Sequence, residues 1–427
     1  LAIAVFVSRF EARVDLDENR AIGLAMATTS ELLAVAHQHL YGNYKPAPFV
    51  LRSGRGAELF DVDGKRYVDL CAGVAVCAVG HAHPVMTARI AEQAGKLMHV
   101  SNYFFNEENV LLAEELAANT CMDRALFSNS GAEANEALFK LARRRFWLKN
   151  GHLNGVIVAF HNAFHGRTMG ALSMTGTPKY REGFGAVEGV VHLPFGDLAA
   201  VRALPIDQPI MAVIVEPVQG EGGVYPAPEG FLAGLRAFCN ERDALLLVDE
   251  VQTGIARTGA FLAFHHANIR PDAVALAKGL GGGFPIGAML TTESLSGVLT
   301  PGTHGSTYGG NALASAAARA VIAIVREEKL AERATELGGK LSAMLNTLVN
   351  EFPERVELER GQGLLRGLVL REGFVARDVL PKLQERGILL TAAGDRVIRF
   401  SPPLVVKESE LAEGVEAIRA VLPTLTK

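Results

Sequence analysis

Cysteine is scarce and scattered. The 427 residues hold only Cys71, Cys77, Cys121 and Cys239, with no Cys-x-x-Cys pair. That spacing excludes a disulfide framework or a cysteine-based zinc site, and it fits a reducing, cytoplasmic setting. Long apolar runs are also missing: no stretch approaches the roughly 18 residues that a transmembrane helix requires. The opening LAIAVFVSRF is apolar, yet it has no basic leading region, so a secretory signal is not expected. Met26 stands just before an ordinary helix entry, so residues 1–25 are expected to be an upstream extension outside the fold. Excess charge of one sign is absent as well. A net charge of -4 gives no bulk electrostatic reason to bind nucleic acid or an anionic membrane. His81 and His83, and the pair His265 and His266, have no acidic or cysteine companions at ligand spacing, so no metal site is expected. Neither an internal repeat nor a low-complexity tract is present.

What is there is an ordinary globular composition, 49% hydrophobic and 21% charged, with length for more than one domain. The chain is organised around Ala244 to Gly287, which reads ALLLVDEVQTG, then a loop-rich passage, then AVALAKGLGGGFPIG. Leu245 to Val248 suggests a buried strand with the acid Asp249 at its tip. Lys278 follows a second apolar run and precedes glycines, where backbone can approach a ligand closely. A carboxylate and an amine on neighbouring strand ends suit pyridoxal phosphate. The amine binds the aldehyde covalently, and the acid keeps the pyridine nitrogen protonated.

Further strands and helices alternate from about residue 125 to 290, which predicts a mainly parallel sheet covered on both faces. Ala125 to Ser128 feeds NSGAEANEALFKLARRRFWLKNG, where Ser130 and Glu133 form a capping box and Gly131 leaves a helix start free for an anion. HNAFHGRTMG follows the strand Val156 to Phe160. There Phe164 suits stacking on a planar ring, and Arg167 suits a bidentate grip on a carboxylate. Glu221 lies in the glycine-rich VQGEGGVYP after the strand Met211 to Val215. Past the lysine, THGSTYGGN offers Ser306 and Thr307 as a second phosphate contact. Tight turns at Ser53-Gly54 and Asp63-Gly64 are expected between short strands. Glu107, Glu108, Glu114 and Glu115 are read as a solvated helix face. Arg399, inside the apolar VIRFSPP, is a carboxylate receptor if it faces a cleft.

Together SNSGAEANEAL, AFHGRT, VEPVQGEGG, LLLVDEVQTG, LAKGLGGGFPIGA, GSTYGGN and IRFSPPL resemble the class III aminotransferases of the fold-type I pyridoxal phosphate enzymes. The likeness runs from about residue 30 to the C-terminus. It implies an α/β fold: a large domain with a central mainly parallel sheet over 71–329, and a smaller discontinuous α+β domain built from 26–70 and 330–427. It also implies that Lys278 binds the cofactor, Asp249 meets the pyridine nitrogen, and Gln252 reaches the ring oxygen. Phe164 stacks on the ring, Ser130, Gly131 and Ala132 hold the phosphate, and Thr307 reaches the phosphate site of the neighbouring subunit in a homodimer.

Within the family the chain stands nearest the members acting on N2-acetylornithine, with 2-oxoglutarate as amino acceptor and arginine biosynthesis as the setting. The resemblance then gives Arg167 the far carboxylate and Arg399 the carboxylate next to the reacting carbon, with Glu221 covering Arg399 when that carboxylate is absent. Succinylornithine, N-succinyldiaminopimelate, ornithine and GABA remain open as amino donors, and a mutase or decarboxylase of the same fold is the alternative of another class. Many relatives carry Asn where this chain has Cys77, near the expected substrate tail.

Overall fold

A computed structural model describes residues 28–426; the expectation for residues 1–25 lies outside them. The chain divides into two compact units, one formed by the described residues up to Gly54 with Leu59–Tyr67, the other by Arg55–Glu58 and the chain from Val68 onward.

In the first unit a helix spans Thr29–His39, started by a capping box in which Thr28 Oγ1 accepts from Glu31 N–H and Glu31 accepts from Thr28 N–H. Thr29 donates to Asp63 at 2.6 Å. The buried Tyr67 hydroxyl donates to Asp61 at 2.9 Å, and its ring stacks on Phe49. The turn at Asp63-Gly64 is present, with Gly64 at φ 87°. Ser53-Gly54 is not a turn but part of the strand Leu51–Arg55. The left-handed residue is Gly56, at φ 60°.

The second unit carries the main sheet. In chain order its elements are α1 (Pro84–Ala94), α2 (Glu107–Thr120), β1 (Arg124–Ser128), α3 (Gly131–Asn150), β2 (Val156–Phe160), β3 (Val190–Leu193), β4 (Ile210–Val215), α4 (Phe231–Glu241), β5 (Leu245–Asp249), β6 (Ala273–Leu276), β7 (Gly287–Thr291) and α5 (Ala312–Glu327). Seven strands lie in the order β1-β7-β6-β5-β4-β2-β3. The run β6-β5-β4-β2-β3 is parallel, and β7 is antiparallel to both its neighbours.

Alternation along the strands divides the core. Ile157, Leu245, Leu247, Ala273 and Ala275 pack with Leu138, Leu141 and Phe146 of α3 on one face. Val158, Leu246, Val248, Val274 and Leu276 pack with Phe231, Leu235 and Phe238 of α4 and Val321 of α5 on the other. A two-residue period is what a sheet covered on both sides demands. Each fully buried Leu, Val or Phe contributes about 1.5–3 kcal/mol.

Beyond lie α6 (Leu330–Glu351), β8 (Val356–Gln362), β9 (Leu365–Leu370), α7 (Ala376–Glu385), β10 (Thr391–Ala393), β11 (Val397–Phe400) and α8 (Glu408–Val421). Their antiparallel sheet has the order β8-β9-β11-β10 and places Arg399 opposite Gly367 and Thr391. Among the described residues no helix is long and apolar enough to cross a membrane.

The glutamates of α2 do not form one solvated face. Glu108 is buried and pairs with Arg89 of α1 and with Arg319 of α5, and Glu115 pairs with the same Arg319 at 2.9 Å. Those arginines come from elements distant in sequence, which a helix pattern read alone does not disclose.

Candidate active site

Parallel strands end together, so the residues just past their carboxyl ends converge. Glu216 follows β4, Asp249 closes β5 and Lys278 comes two residues after β6. With the first turn of α3 and the loop after β2 they border a cavity of roughly 370 Å³. Its wall includes Ser130, Gly131, Ala132, Phe164, Arg167, Glu221, Asp249, Gln252 and Lys278. The crevice outside the strand ends of an α/β sheet is where such folds bind ligands.

Asp249 is buried and firmly held. Its Oδ2 accepts from Asn135 Nδ2 at 2.7 Å and lies 2.8 Å from His165 Nδ1, while Oδ1 accepts from Val251 N–H at 2.9 Å. Asn135 also donates to His165 O at 2.8 Å, so side chain and backbone of the loop are fixed together. Lys278 has a left-handed backbone, φ 42°, a conformation a non-glycine residue holds only when its surroundings impose it. Burial lowers its amine pKa below the ordinary value, and the Glu221 charge opposes that shift. A lysine kept closer to its neutral form is the better nucleophile and base.

Glu216 is buried beside this pair and accepts from Phe164 N–H at 3.1 Å. Burial, then the negative charge of Asp249, hold its carboxyl well above the usual carboxylate range. Burial and the Asp249 charge outweigh the Phe164 N–H and the Lys278 charge, which pull the other way.

Arg399 is buried and does not line the cavity; it meets the wall residues Glu221 and Gln252, its Nη1 donating to Glu221 and, at 3.3 Å, to Gln252 Oε1, while Nε donates to Thr391 Oγ1 at 3.1 Å. Gln252 Nε2 donates to Glu221 at 3.2 Å. Burial pushes the Glu221 carboxyl up, but the Arg399 and Lys278 charges and these hydrogen bonds overcome it, leaving its pKa below the ordinary value. Glu221 is therefore an anion closing over the arginine. Arg167 lies over the Tyr180 ring at 4.0 Å, and Phe164 meets the same ring edge-on.

Two glycines leave room for side chains of the cavity wall. A Cβ on Gly131 would sit 2.6 Å from Val251 Cγ1, and one on Gly220 would sit 1.7 Å from Gln252 Oε1. Ser130 caps α3 by accepting from Glu133 N–H. The expected box is only half formed, because Glu133 turns its carboxylate to Asn129 N–H at 2.7 Å. Asn129 Nδ2 in turn donates to Ser306 Oγ at 3.2 Å. Ser306 is thus tied to the cavity through Asn129, and Thr307 is exposed outside the cavity wall.

Residues 41–422 match the family described as Aminotransferase class-III. The chain belongs to the class III aminotransferases. It is 46% identical over 387 residues to an acetylornithine aminotransferase of Myxococcus xanthus, covering 90% of this chain and 96% of that one. It is 45% identical over 376 residues to a succinylornithine transaminase of Salmonella typhimurium, covering 87% and 92%. A solved ornithine aminotransferase from Toxoplasma gondii, with pyridoxal phosphate at partial occupancy in its active site, superimposes with TM-score 0.90 at 34% identity, covering 96% of this chain and 98% of that one.

The aminotransferase works with pyridoxal 5'-phosphate, and the cavity wall fits that group part by part. It offers an amine at Lys278, a held acid at Asp249, an amide at Gln252, an aromatic ring at Phe164 and a helix N-terminus at Ser130 to Ala132. Two parts of the aminotransferase site escaped the sequence reading. Asn135 is a polar residue on the buried face of α3, amid Ala134 and Leu138, and that break in an apolar stripe was the available signal. Glu216 ends an apolar strand just as Asp249 does, so the same pattern pointed to it.

Proposed function

We propose that this aminotransferase moves the δ-amino group of N2-acetylornithine to 2-oxoglutarate, giving N-acetylglutamate 5-semialdehyde and glutamate, a step of arginine biosynthesis in the cytoplasm. The observation that carries the reading is the ion pair between Glu221, in the cavity wall, and the buried Arg399 behind it. An amino donor whose reacting carbon is a plain CH2 brings no carboxylate to Arg399, and Glu221 supplies the missing anion. When 2-oxoglutarate enters, its carboxylate takes the place of Glu221 on the arginine. Arg167, in the cavity wall and over the Tyr180 ring, receives the distant carboxylate of either substrate. The 45–46% identity to relatives named for acylated ornithines supports this choice of donor.

When bound, the cofactor supplies an aldehyde carbon that accepts the amino group and a ring that accepts electrons. Lys278 would hold that carbon through its Nζ, and the same amine, when free, would take and return the proton of the reacting substrate carbon. Asp249, fixed by His165 and Asn135, would hold the pyridine nitrogen, and Gln252 would serve the ring oxygen. Ser130, Gly131 and Ala132 hold the phosphate. Their small side chains let the α3 N–H groups reach it.

The site is completed by a second copy of the chain. Thr307 and Tyr308 are exposed beside Tyr103, Phe104 and Phe105, themselves 92%, 70% and 93% exposed. Asn102 ties the two loops together by donating to Ser306 O and Gly309 O. So much exposed aromatic surface suits an interface, from which Thr307 serves the partner's phosphate site.

Single-turnover assays of the two half-reactions test the central point. Glu221→Ala is expected to slow the acetylornithine half-reaction by about 10- to 100-fold, the worth of one charge-assisted contact, and the glutamate half-reaction far less. Equal losses in both would refute the exchange of anions. Steady-state kcat/KM for acetylornithine, succinylornithine, ornithine and GABA decides the donor, and a preference for GABA overturns the assignment.

A further inference from the structure

Two arginines serve the substrates in the reading above, and the structure holds them by opposite means. Arg399 is buried, with its N–H groups on Glu221, Gln252 and Thr391. Arg167 is exposed in the cavity wall, and among the described residues its guanidinium has no hydrogen bond and no ion pair. Aromatic rings take their place. Its Cζ lies 4.0 Å from the centroid of Tyr180 and 5.4 Å from that of Phe164.

Tyr180 itself does not line the cavity. It closes a turn of 3-10 helix, Pro178–Tyr180, beyond the short helix Met169–Met174. This segment is fastened to the loop that carries Phe164 and Arg167. The buried Thr175 accepts through Oγ1 from His165 N–H at 3.0 Å, and the same oxygen lies 3.3 Å from both Gly166 O and Ala171 O. Gly176 N–H donates to Ala163 O at 2.8 Å, and a Cβ on Gly176 would sit 1.9 Å from Phe160 O. Bonds on both sides of Phe164 thus tie the two segments together. The half-buried Tyr180 ring then meets Phe164 edge-on, with centroids 5.9 Å apart.

An exposed arginine loses side-chain freedom when it grips a carboxylate, and that ordering weakens binding. A ring face attracts the cation without presenting an acceptor oxygen, so it orders the side chain beforehand and leaves the N–H groups to the ligand. The contrast between the two arginines follows from their tasks. Arg399 meets a carboxylate in one half-reaction and is covered by Glu221 in the other. Arg167 meets one in both, and an anion over it would compete with every substrate. A neutral ring supports it without competing.

We propose that Tyr180 is a positioning residue for Arg167: its ring presets the guanidinium at the cavity wall with the N–H groups open, and thereby sets the affinity for the distant carboxylate in both half-reactions. This rests on reading Arg167 as the receptor of that carboxylate. Among the described residues the Tyr180 hydroxyl has no hydrogen bond, so the ring carries the effect.

Single-turnover reactions of the pyridoxal-phosphate holoenzyme with acetylornithine, and with N-acetylputrescine, the same molecule without its carboxylate, test this. Tyr180→Leu is expected to weaken the apparent affinity for acetylornithine and for glutamate about fivefold, the worth of one exposed cation–ring contact, at an unchanged limiting rate. N-acetylputrescine should react alike with native enzyme and variant, and the conservative Tyr180→Phe should restore the native affinity for acetylornithine. Native affinity for acetylornithine in Tyr180→Leu overturns the role of the ring. So does an equal loss toward N-acetylputrescine, or a loss in Tyr180→Phe as large as in Tyr180→Leu. Tyr180→Met, a second variant without the ring, takes the place of Tyr180→Leu if that one fails to fold. Arg167→Ala separates the inference from the reading beneath it, because it should lose affinity for acetylornithine and not for N-acetylputrescine. A loss shared by both donors overturns the carboxylate reading and the part of Tyr180 with it. A selective loss in Arg167→Ala beside native affinity in Tyr180→Leu overturns the part of Tyr180 alone.

Discussion

His81 has an acid partner, Asp69, that is 1% exposed, while its own side chain is 20% exposed. Its pKa is about 9 in the folded protein, where an unpaired histidine sits near 6.5. The sign of the effect follows. The folded state holds a proton that the unfolded chain releases as pH rises past 6.5, so the stabilisation is complete below that pH and is lost as pH climbs through 9. The upper bound on its size is about 3 kcal/mol. Urea unfolding of native protein and His81→Gln at several pH values checks this. The stability gap should be widest at pH 6 and should close toward pH 9, and a gap that is constant with pH would contradict the pairing. In the sequence His81 was visible only as part of GHAHP, because its partner lies twelve residues earlier and the contact depends on the fold.

Elements of this chain announce themselves by pattern, and their partners do not. Helices Thr29–His39 and α5 start at side-chain caps, Thr28 and Asn311, and α4, which has none, follows its apolar spacing. The capping box of α3 was only half right, because Glu133 found Asn129 nearer than the cap backbone. The acidic α2 was misread more seriously. Glu108 bridges α1 and α5 through Arg89 and Arg319, whereas Glu107 next to it is exposed. Glu108→Ala removes the buried carboxylate that Arg89 and Arg319 share, leaving Arg89 with the more exposed Glu92 and Arg319 with Glu115, with an expected cost of about 2–3 kcal/mol. Glu107→Ala should change stability by no more than about 0.5 kcal/mol. Denaturant midpoints of the two variants make the comparison, and equal effects would return α2 to a solvated face.

At the scale of the whole molecule, the proposed shared site makes a sharp demand on assembly. Lys278 and Thr307 of one site would come from different copies, so neither Lys278→Ala nor Thr307→Val should be active at full rate alone. Mixed dimers of the two should regain activity, because one of their two sites then holds both native residues. Reconstitution after unfolding the variants together, assayed beside each variant refolded separately, reads this directly. Absence of rescue in a sample shown to be mixed would place Thr307 outside the partner's site. Exposed Tyr103, Phe104 and Phe105 should become protected from hydrogen exchange in the backbone at concentrations where the dimer forms.

By itself the sequence determined the strands, the two-faced sheet, the carboxylate and amine at strand tips, and the set of motifs that marks a class III aminotransferase. These are local facts, fixed by residue spacing and by which side chains can end a buried strand. Only the tertiary structure decided that Gln252 joins the Glu221–Arg399 pair, that Asn135 and His165 fix Asp249, that Glu216 is buried beside them with its carboxyl pKa raised, and that His81 pairs with Asp69. Each of these joins groups on different elements, and their charges take on their values through burial and a neighbour's field. Neither burial nor that field exists until the chain has folded.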